Sequence, residues 1–141
     1  MTRLVKRETS RPPASKDAAR KLAIEAARLA EDSNAENIVI LDLRGISPVT
    51  DYFVISTGAS ARQMRTVAGA IAEYGRSVGQ RVWQVAGEGT AEWIVMDFVD
   101  VVVHVFDEPH RRYYDLELIW GAAPRVRWRR RTGAKQTPPK E

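Results

Sequence analysis

Residues 51–79 read DYFVISTGASARQMRTVAGAIAEYGRSVG, and this stretch decides the fold. Its opening, Tyr52 to Ser56, is β-branched and aromatic, the composition of a strand. Thr57, Gly58, Ala59 and Ser60 then turn the chain. Beyond the turn, Met64, Val67, Ala68, Ile71, Gly75 and Val78 recur at three- and four-residue spacing, which aligns them on one side of a helix that Gly79 is suited to end. Strand, turn and amphipathic helix in that order are a building unit of layered α/β domains.

Upstream, Ser15 is placed to cap a helix in which Leu22, Ala26 and Leu29, joined by Ala19, Ala23 and Ala30, form one apolar face. The Ser33, Asn34 and Asn37 cluster ends that helix, Ile38 to Leu43 follow as a β-branched run, and Gly45 and Pro48 mark a loop. Downstream, Arg81 to Val85 predict a third strand, with a break at Gly87 and Gly89. Trp93 to Met96 and Val101 to Phe106 predict a hairpin across Asp97 to Asp100. Asp107 is an N-cap for a last helix with Pro109 in its first turn and Tyr113, Leu116 and Trp120 on a common face, stopped by Gly121 and Pro124. The order predicts a single layered α/β domain with a mixed sheet of about five strands packed with helices.

The domain is expected to span residues 15–124. Residues 1–14 are polar, charged and Pro-containing and predict a disordered basic extension, and residues 125–141, rich in Arg, Lys and Pro, predict a disordered basic tail. A chain of 141 residues, 44% hydrophobic and 28% charged, has the composition of one globular domain. The lack of cysteine excludes a disulfide framework, a thiolate metal site and a cysteine nucleophile. The longest apolar runs fall far short of the ~20 residues that cross a bilayer. The N-terminus has no secretory apolar core, and Glu8 and Pro12-Pro13 interrupt any amphipathic transit helix, so a cytoplasmic location is expected.

The net charge of +4 is unevenly spread. Residues 1–16 set five basic groups against Glu8, a balance of +4, and residues 125–141 set seven against Glu141, a balance of +6. The rest holds ten Lys and Arg against sixteen Asp and Glu, a balance of −6 that repels phosphate at long range and argues against a duplex-binding body. Arg127, Arg129, Arg130 and Arg131 fit a nucleic-acid contact or a solubilising tail equally well.

The turn Thr57-Gly58-Ala59-Ser60 feeds a helix N-terminus, a place that can bind anions. It lacks the Walker lysine and the three-glycine dinucleotide pattern. A nucleotidyltransferase would follow such a turn with two carboxylates one residue apart on a strand, to hold two metal ions. Here Arg62 and Arg65 follow, and the next paired acids, Asp97 and Asp100, have the wrong spacing, so the turn reads as a capping serine in a small-residue loop. His104, in an apolar run, has the chemistry of a general base that Asp97 or Asp100 would orient, but no nucleophile signature accompanies it, and a hydrogen-bonded structural or interface histidine is the competing reading. His110, beside Arg111 and Arg112, does not suggest a metal ligand, and no cofactor is expected. The segment Trp93-Ile94-Val95-Met96-Asp97-Phe98 is apolar on both faces: Trp93 and Val95 on one, Ile94, Met96 and Phe98 on the other. One face belongs to the core; the other lies under a helix or meets a protein partner.

Three motifs in order carry a family likeness: Asp51 to Ser60; Trp93 to Phe98 with Asp100 and Val103-His104-Val105-Phe106; and Arg112-Tyr113-Tyr114-Asp115-Leu116-Glu117 with Trp120. Together they resemble the ribosomal silencing factor (Iojap-like) family over roughly residues 15–121. The resemblance implies a fold similar to nucleotidyltransferases without their catalytic carboxylates, and a protein that is not an enzyme. It implies a homodimer that binds protein fourteen of the large ribosomal subunit on the face that meets the small subunit. By steric exclusion it would repress translation when nutrients are scarce. Carried onto this chain, it centres the contact surface on Trp93, Met96, Asp97 and Phe98, with Asp100 and His104 nearby.

Two positions depart from the family pattern. Aligned without a gap, Ala86-Gly87 stands where the family usually has Glu-Gly, leaving Glu88 as a displaced substitute, and Val99 stands where a glycine is common, so the turn there must avoid positive φ or hold strain. The basic tail is expected to touch ribosomal RNA. The alternative function is a metal-dependent nucleotidyl or phosphoryl transferase related by fold.

Overall fold

A computed structural model describes residues 16–130. The N-terminal extension, the Ser15 cap and residues 131–141 lie outside the described residues. Helix α1 (Lys16–Asp32) leads into strands β1 (Glu36–Asp42) and β2 (Tyr52–Thr57), helix α2 (Ala61–Ser77), strands β3 (Gln84–Ala86), β4 (Trp93–Asp97) and β5 (Val101–Phe106), and two short helices, α3 (Glu108–Tyr114) and α4 (Leu116–Ile119). One five-stranded sheet has the spatial order β1-β2-β5-β4-β3. Only β2 and β5 run parallel; the other neighbours are antiparallel, so the sheet is mixed as the sequence predicts.

Register decides which residues share a face. Tyr52, Val54 and Ser56 stand opposite Val101, Val103 and Val105, and Met96 opposite Val103; these point toward α1 and α2. Phe53, Ile55 and Thr57 stand opposite Val102, His104 and Phe106, and Trp93 and Val95 opposite Phe106 and His104; these point to the other side. The first face is closed by α1 and α2, whose Leu22, Ala23, Ala26, Met64, Val67 and Ile71 are each at most 1% exposed. At Gly75 a Cβ would sit 2.7 Å from Phe98 Cε1 and 2.5 Å from the Gln80 carbonyl oxygen, so the missing side chain is what lets the Phe98 ring and the next turn of chain close onto the helix.

Several expectations are corrected. Val78 lies past the end of α2 and is 46% exposed. The third strand is shorter and later than Arg81 to Val85. The predicted last helix is broken at Asp115, which adopts φ 46 and separates α3 from α4; an aspartate tolerates that left-handed conformation better than most residues. Tyr113 therefore swings out, while Leu116 and Trp120 pack on the sheet. Buried Arg111 holds the two helices together: its Nε and Nη2 donate to the Glu117 carboxylate at 3.0 and 2.9 Å, and its Nη1 donates to Thr57 Oγ1 at 2.7 Å. That guanidinium keeps the Glu117 carboxyl below its usual range.

Residues 125–130 do not trail from the domain. Leu41 and Arg125 form an antiparallel bridge, with Asp42 N–H donating to Pro124 O at 2.8 Å and Val126 N–H to Ile40 O at 3.0 Å. Val126 and Trp128 join the core under α1, Trp128 Nε1 donates to Ile38 O at 3.3 Å, and Arg28 Nε donates to Trp128 O at 2.8 Å. Arg129 and Arg130 pair with Glu31 and Asp32 at the end of α1. Alternate apolar residues inside an arginine-rich run make this segment an edge strap rather than a solvated tail.

Candidate functional site

The turn between β2 and α2 is occupied by its own caps. Gln63 N–H donates to Ser60 Oγ at 3.0 Å, and Ala59 N–H donates to Gln63 Oε1 at 2.5 Å, a reciprocal capping arrangement. Gln63 Nε2 donates to Ser33 O at 3.0 Å, tying the turn to the end of α1. A Cβ on Gly58 would lie 2.4 Å from Met64 Cγ, so the glycine serves packing. Ser60 thus acts as a helix cap, the structural alternative for this turn.

The hairpin between β4 and β5 divides the residues expected to cluster. Met96 and Phe98 are each 1% exposed and belong to the core beneath α1 and α2, on the sheet face opposite Trp93. They cannot share a surface with Trp93 in this arrangement, which corrects that part of the carried-over contact surface. Asp97 and Asp100 are buried, at 9% and 6% exposed. Asp97 Oδ1 accepts from Val99 N–H at 2.8 Å. Val99, itself buried, adopts φ 82, a region that costs a β-branched residue roughly 1–2 kcal/mol, so the turn holds strain and the Asp97 carboxylate pins it.

Trp93 and His104 do come together. Trp93 Nε1–H donates to His104 Nδ1 at 3.0 Å, which places the imidazole proton on Nε2. Burial pushes His104 down to about 3. Its Nε2 is enclosed and has no hydrogen-bond partner among the described residues. A neutral imidazole whose only lone-pair nitrogen is already engaged by an indole is not arranged as a general base. His110 Nδ1 lies 2.7 Å from Asp107 Oδ1, and Asp107 Oδ1 also accepts from His110 N–H at 2.9 Å, so this pair caps α3. Among the described residues no three His, Asp or Glu side chains gather as a metal site.

What the second sheet face carries is a line of rings. From Trp120 to Phe53 the centroids are 5.9 Å apart, from Phe53 to His104 4.4 Å, from His104 to Trp93 5.9 Å, and from Trp93 to Tyr114 4.4 Å. Parallel pairing of β2 with β5 sets Ile55 opposite His104, which brings Phe53 beside it, and β4 brings Trp93 from the other side. Phe53, Trp93, Val95, Val39 and Trp120 are half-buried. Beyond the line, on α3 and α4, Tyr113, Leu118 and Ile119 are 79%, 75% and 66% exposed. Sequence reasoning missed Phe53 and Trp120 as members of this surface. The signal for Phe53 was its alternation with Val54; the pairing that brings it to His104 is not local.

The chain's residues 16–141 match the family model for the ribosomal silencing factor during starvation, RsfS. A ribosomal silencing factor RsfS of Bacillus subtilis is 43% identical over 99 residues, covering 70% of this chain and 84% of that protein. One from Halalkalibacterium halodurans is 38% identical over 101 residues, covering 72% and 86%. A crystal structure of a Chromobacterium violaceum protein superposes with a TM-score of 0.69 at 32% identity, covering 77% of this chain and 88% of that one. These likenesses show that the chain belongs to the ribosomal silencing factor family.

Proposed function

We propose that this chain silences translation by seating its ring-lined sheet face on protein fourteen of the large ribosomal subunit, where its bulk excludes the small subunit. No bond is made or broken in this reading; the protein is a cytoplasmic binder that acts as a homodimer. The observation that carries it is the line of half-exposed rings Trp120, Phe53, Trp93 and exposed Tyr114 around a buried His104, flanked by exposed Leu118 and Ile119. Aromatic side chains of this kind are the usual anchors of protein interfaces, since they bury a large area for few frozen torsions. Of the residues first expected at the contact, Trp93 is the anchor and His104 orients it. Met96 and Phe98 act from below as the floor of the sheet, and Asp97 and Asp100 belong to the turn.

No observation favours the metal-dependent transferase reading, because the turn that would hold phosphate is spent on capping. The test is sedimentation of purified small and large subunits with and without this protein. Joined ribosomes should vanish at stoichiometric protein, with the protein travelling on the large subunit. Replacing Trp93 by Ala should weaken that association by about 2 kcal/mol or more, roughly 30-fold. Subunits that join normally while saturated with the protein would refute the reading.

A further inference from the structure

The strap at the β1 edge carries four arginines between positions 125 and 130, and they are not equivalent. Arg129 and Arg130 are consumed by Glu31 and Asp32 on α1. Arg125 and Arg127 alternate with Val126 and Trp128, and since those two point into the core under α1, the two arginines point to the opposite side of the sheet. The bridge fixes the register: Arg125 lies beside Leu41, whose side chain belongs to the apolar cluster that includes Phe53, Trp93 and Trp120. Continuing the antiparallel register sets Arg127 beside Val39 of the same cluster. Both arginines are exposed, and neither donates a hydrogen bond to an acceptor among the described residues. Arg125 is close enough to Glu117 to act on its carboxyl, but that carboxylate already carries the two-pronged bond from Arg111.

The ring-lined face therefore has a cationic margin along its β1 edge, built into the sheet by a buried tryptophan. The folded body around it has a surplus of acid, so these two charges are not part of a general basic field. On a ribosomal surface the abundant anion beside a protein is the RNA phosphate, and arginine's planar fork is suited to phosphate oxygens.

We infer that Arg125 and Arg127 form a phosphate-reading margin of the docking face, which grips the backbone of RNA bordering the protein on which the face sits. This rests on the docking reading above. It differs from a loose contact by the tail in that the strap places two charges in register with the rings, so RNA and protein are engaged as one surface.

The experiment measures binding to purified large subunits across a salt series for the wild-type chain, Arg125→Gln/Arg127→Gln and Arg125→Lys/Arg127→Lys. The same three proteins are titrated against large-subunit protein fourteen freed of RNA. The Gln pair should bind subunits more weakly at low salt, with the slope of log affinity against log salt shallower by about 1.5 to 2. The Lys pair should keep most of the slope, and binding to the RNA-free protein should be the same for all three. A wild-type chain that binds subunits with an unchanged slope in the Gln pair overturns this inference and spares the docking reading. An equal loss against the RNA-free protein assigns the arginines to an acidic protein surface and also overturns it. A Lys pair that loses slope as the Gln pair does points to a displaced strap, again against the inference. If the wild-type chain fails to travel with subunits, the docking reading falls and this one with it.

Discussion

The two faces of the sheet are about equally apolar in sequence, yet they are covered very differently. The face under α1 and α2 is sealed by two helices of 17 residues each, and Ile40, Val54, Ile94 and Val103 on it are at most 1% exposed. Among the described residues the other face has as helical cover α3, of seven residues, and α4, of four, which leave Val39, Phe53, Trp93 and Val95 half open. Hydrophobicity alone does not separate a core from an interface; the length of what lies on top does. Trp93 and Phe98 lie on one hairpin, yet Phe98 is sealed and Trp93 is half open.

The largest effect should come from breaking the sealed face. Phe98→Ala removes a ring that closes on α2 at Gly75 and should cost about 3–5 kcal/mol of stability, read by chemical denaturation. Trp93→Ala should cost less stability and more binding. If the two variants were equally destabilised, the faces would not differ as described.

The strap extends the sealed face past the last named strand. Trp128, 7% exposed, should cost about 3 kcal/mol when replaced by Ala, because the cavity opens under α1 at the sheet edge. A chain cut after Ala123 should be destabilised at least as much, where a dispensable tail predicts no change in melting temperature. That outcome makes truncation a poor probe of RNA contact and point substitution a better one.

Much of the fold was legible because its signals are local. The three- and four-residue period of Leu22 to Ala30 and of Met64 to Ile71, and the β-branched runs of β2 and β5, each name an element within a dozen residues. What was missed depends on partners far along the chain. In residues 125–130 the alternation of Val126 and Trp128 with arginines is a strand signal, but five positive charges in seven residues mask it as a tail. The helix break at Asp115 follows from Arg111 reaching both Thr57 and Glu117, which no local pattern states. For the site, alternation did separate Trp93 from Met96 and Phe98; only the family likeness placed them on one surface.

His104 sharpens the comparison from within the open face. Although that face is half uncovered, the imidazole at its centre is 5% exposed and held at about 3, against 6.5 when unfolded. The unfolded chain therefore binds a proton that the folded one refuses, so stability rises with pH between about 3 and 6.5 and falls as the solution is acidified through that window. From pH 7 to pH 5 the loss should be about 2 kcal/mol. Carboxylates such as Glu117, whose range is lowered by Arg111, lose stability in acid too, but mostly below pH 5. A His104→Phe variant measured at both pH values should lack most of the wild-type difference. An equal pH dependence in the two proteins would mean that water reaches the imidazole and that the centre of this face is not enclosed.

The smallest effect on stability is expected at the rim, and there the comparison is most demanding. Leu118 and Ile119 are 75% and 66% exposed on a single turn of helix, so Leu118→Ser and Ile119→Ser remove little buried area and should shift stability by no more than about 0.5 kcal/mol. Serine keeps the polypeptide's hydrogen bonding and has ordinary helix propensity, which leaves the backbone of α4 in place. Two exposed apolar side chains beside a line of rings are costly to leave in water unless something covers them. The double variant should therefore keep its melting temperature while losing large-subunit binding or self-association, measured by co-sedimentation and by sedimentation velocity of the protein alone. Loss of the first with the second intact assigns the rim to the ribosomal contact; the reverse assigns it to the dimer. A double variant that melts, binds and associates as the wild type does would confine the working surface to the rings between Trp120 and Tyr114.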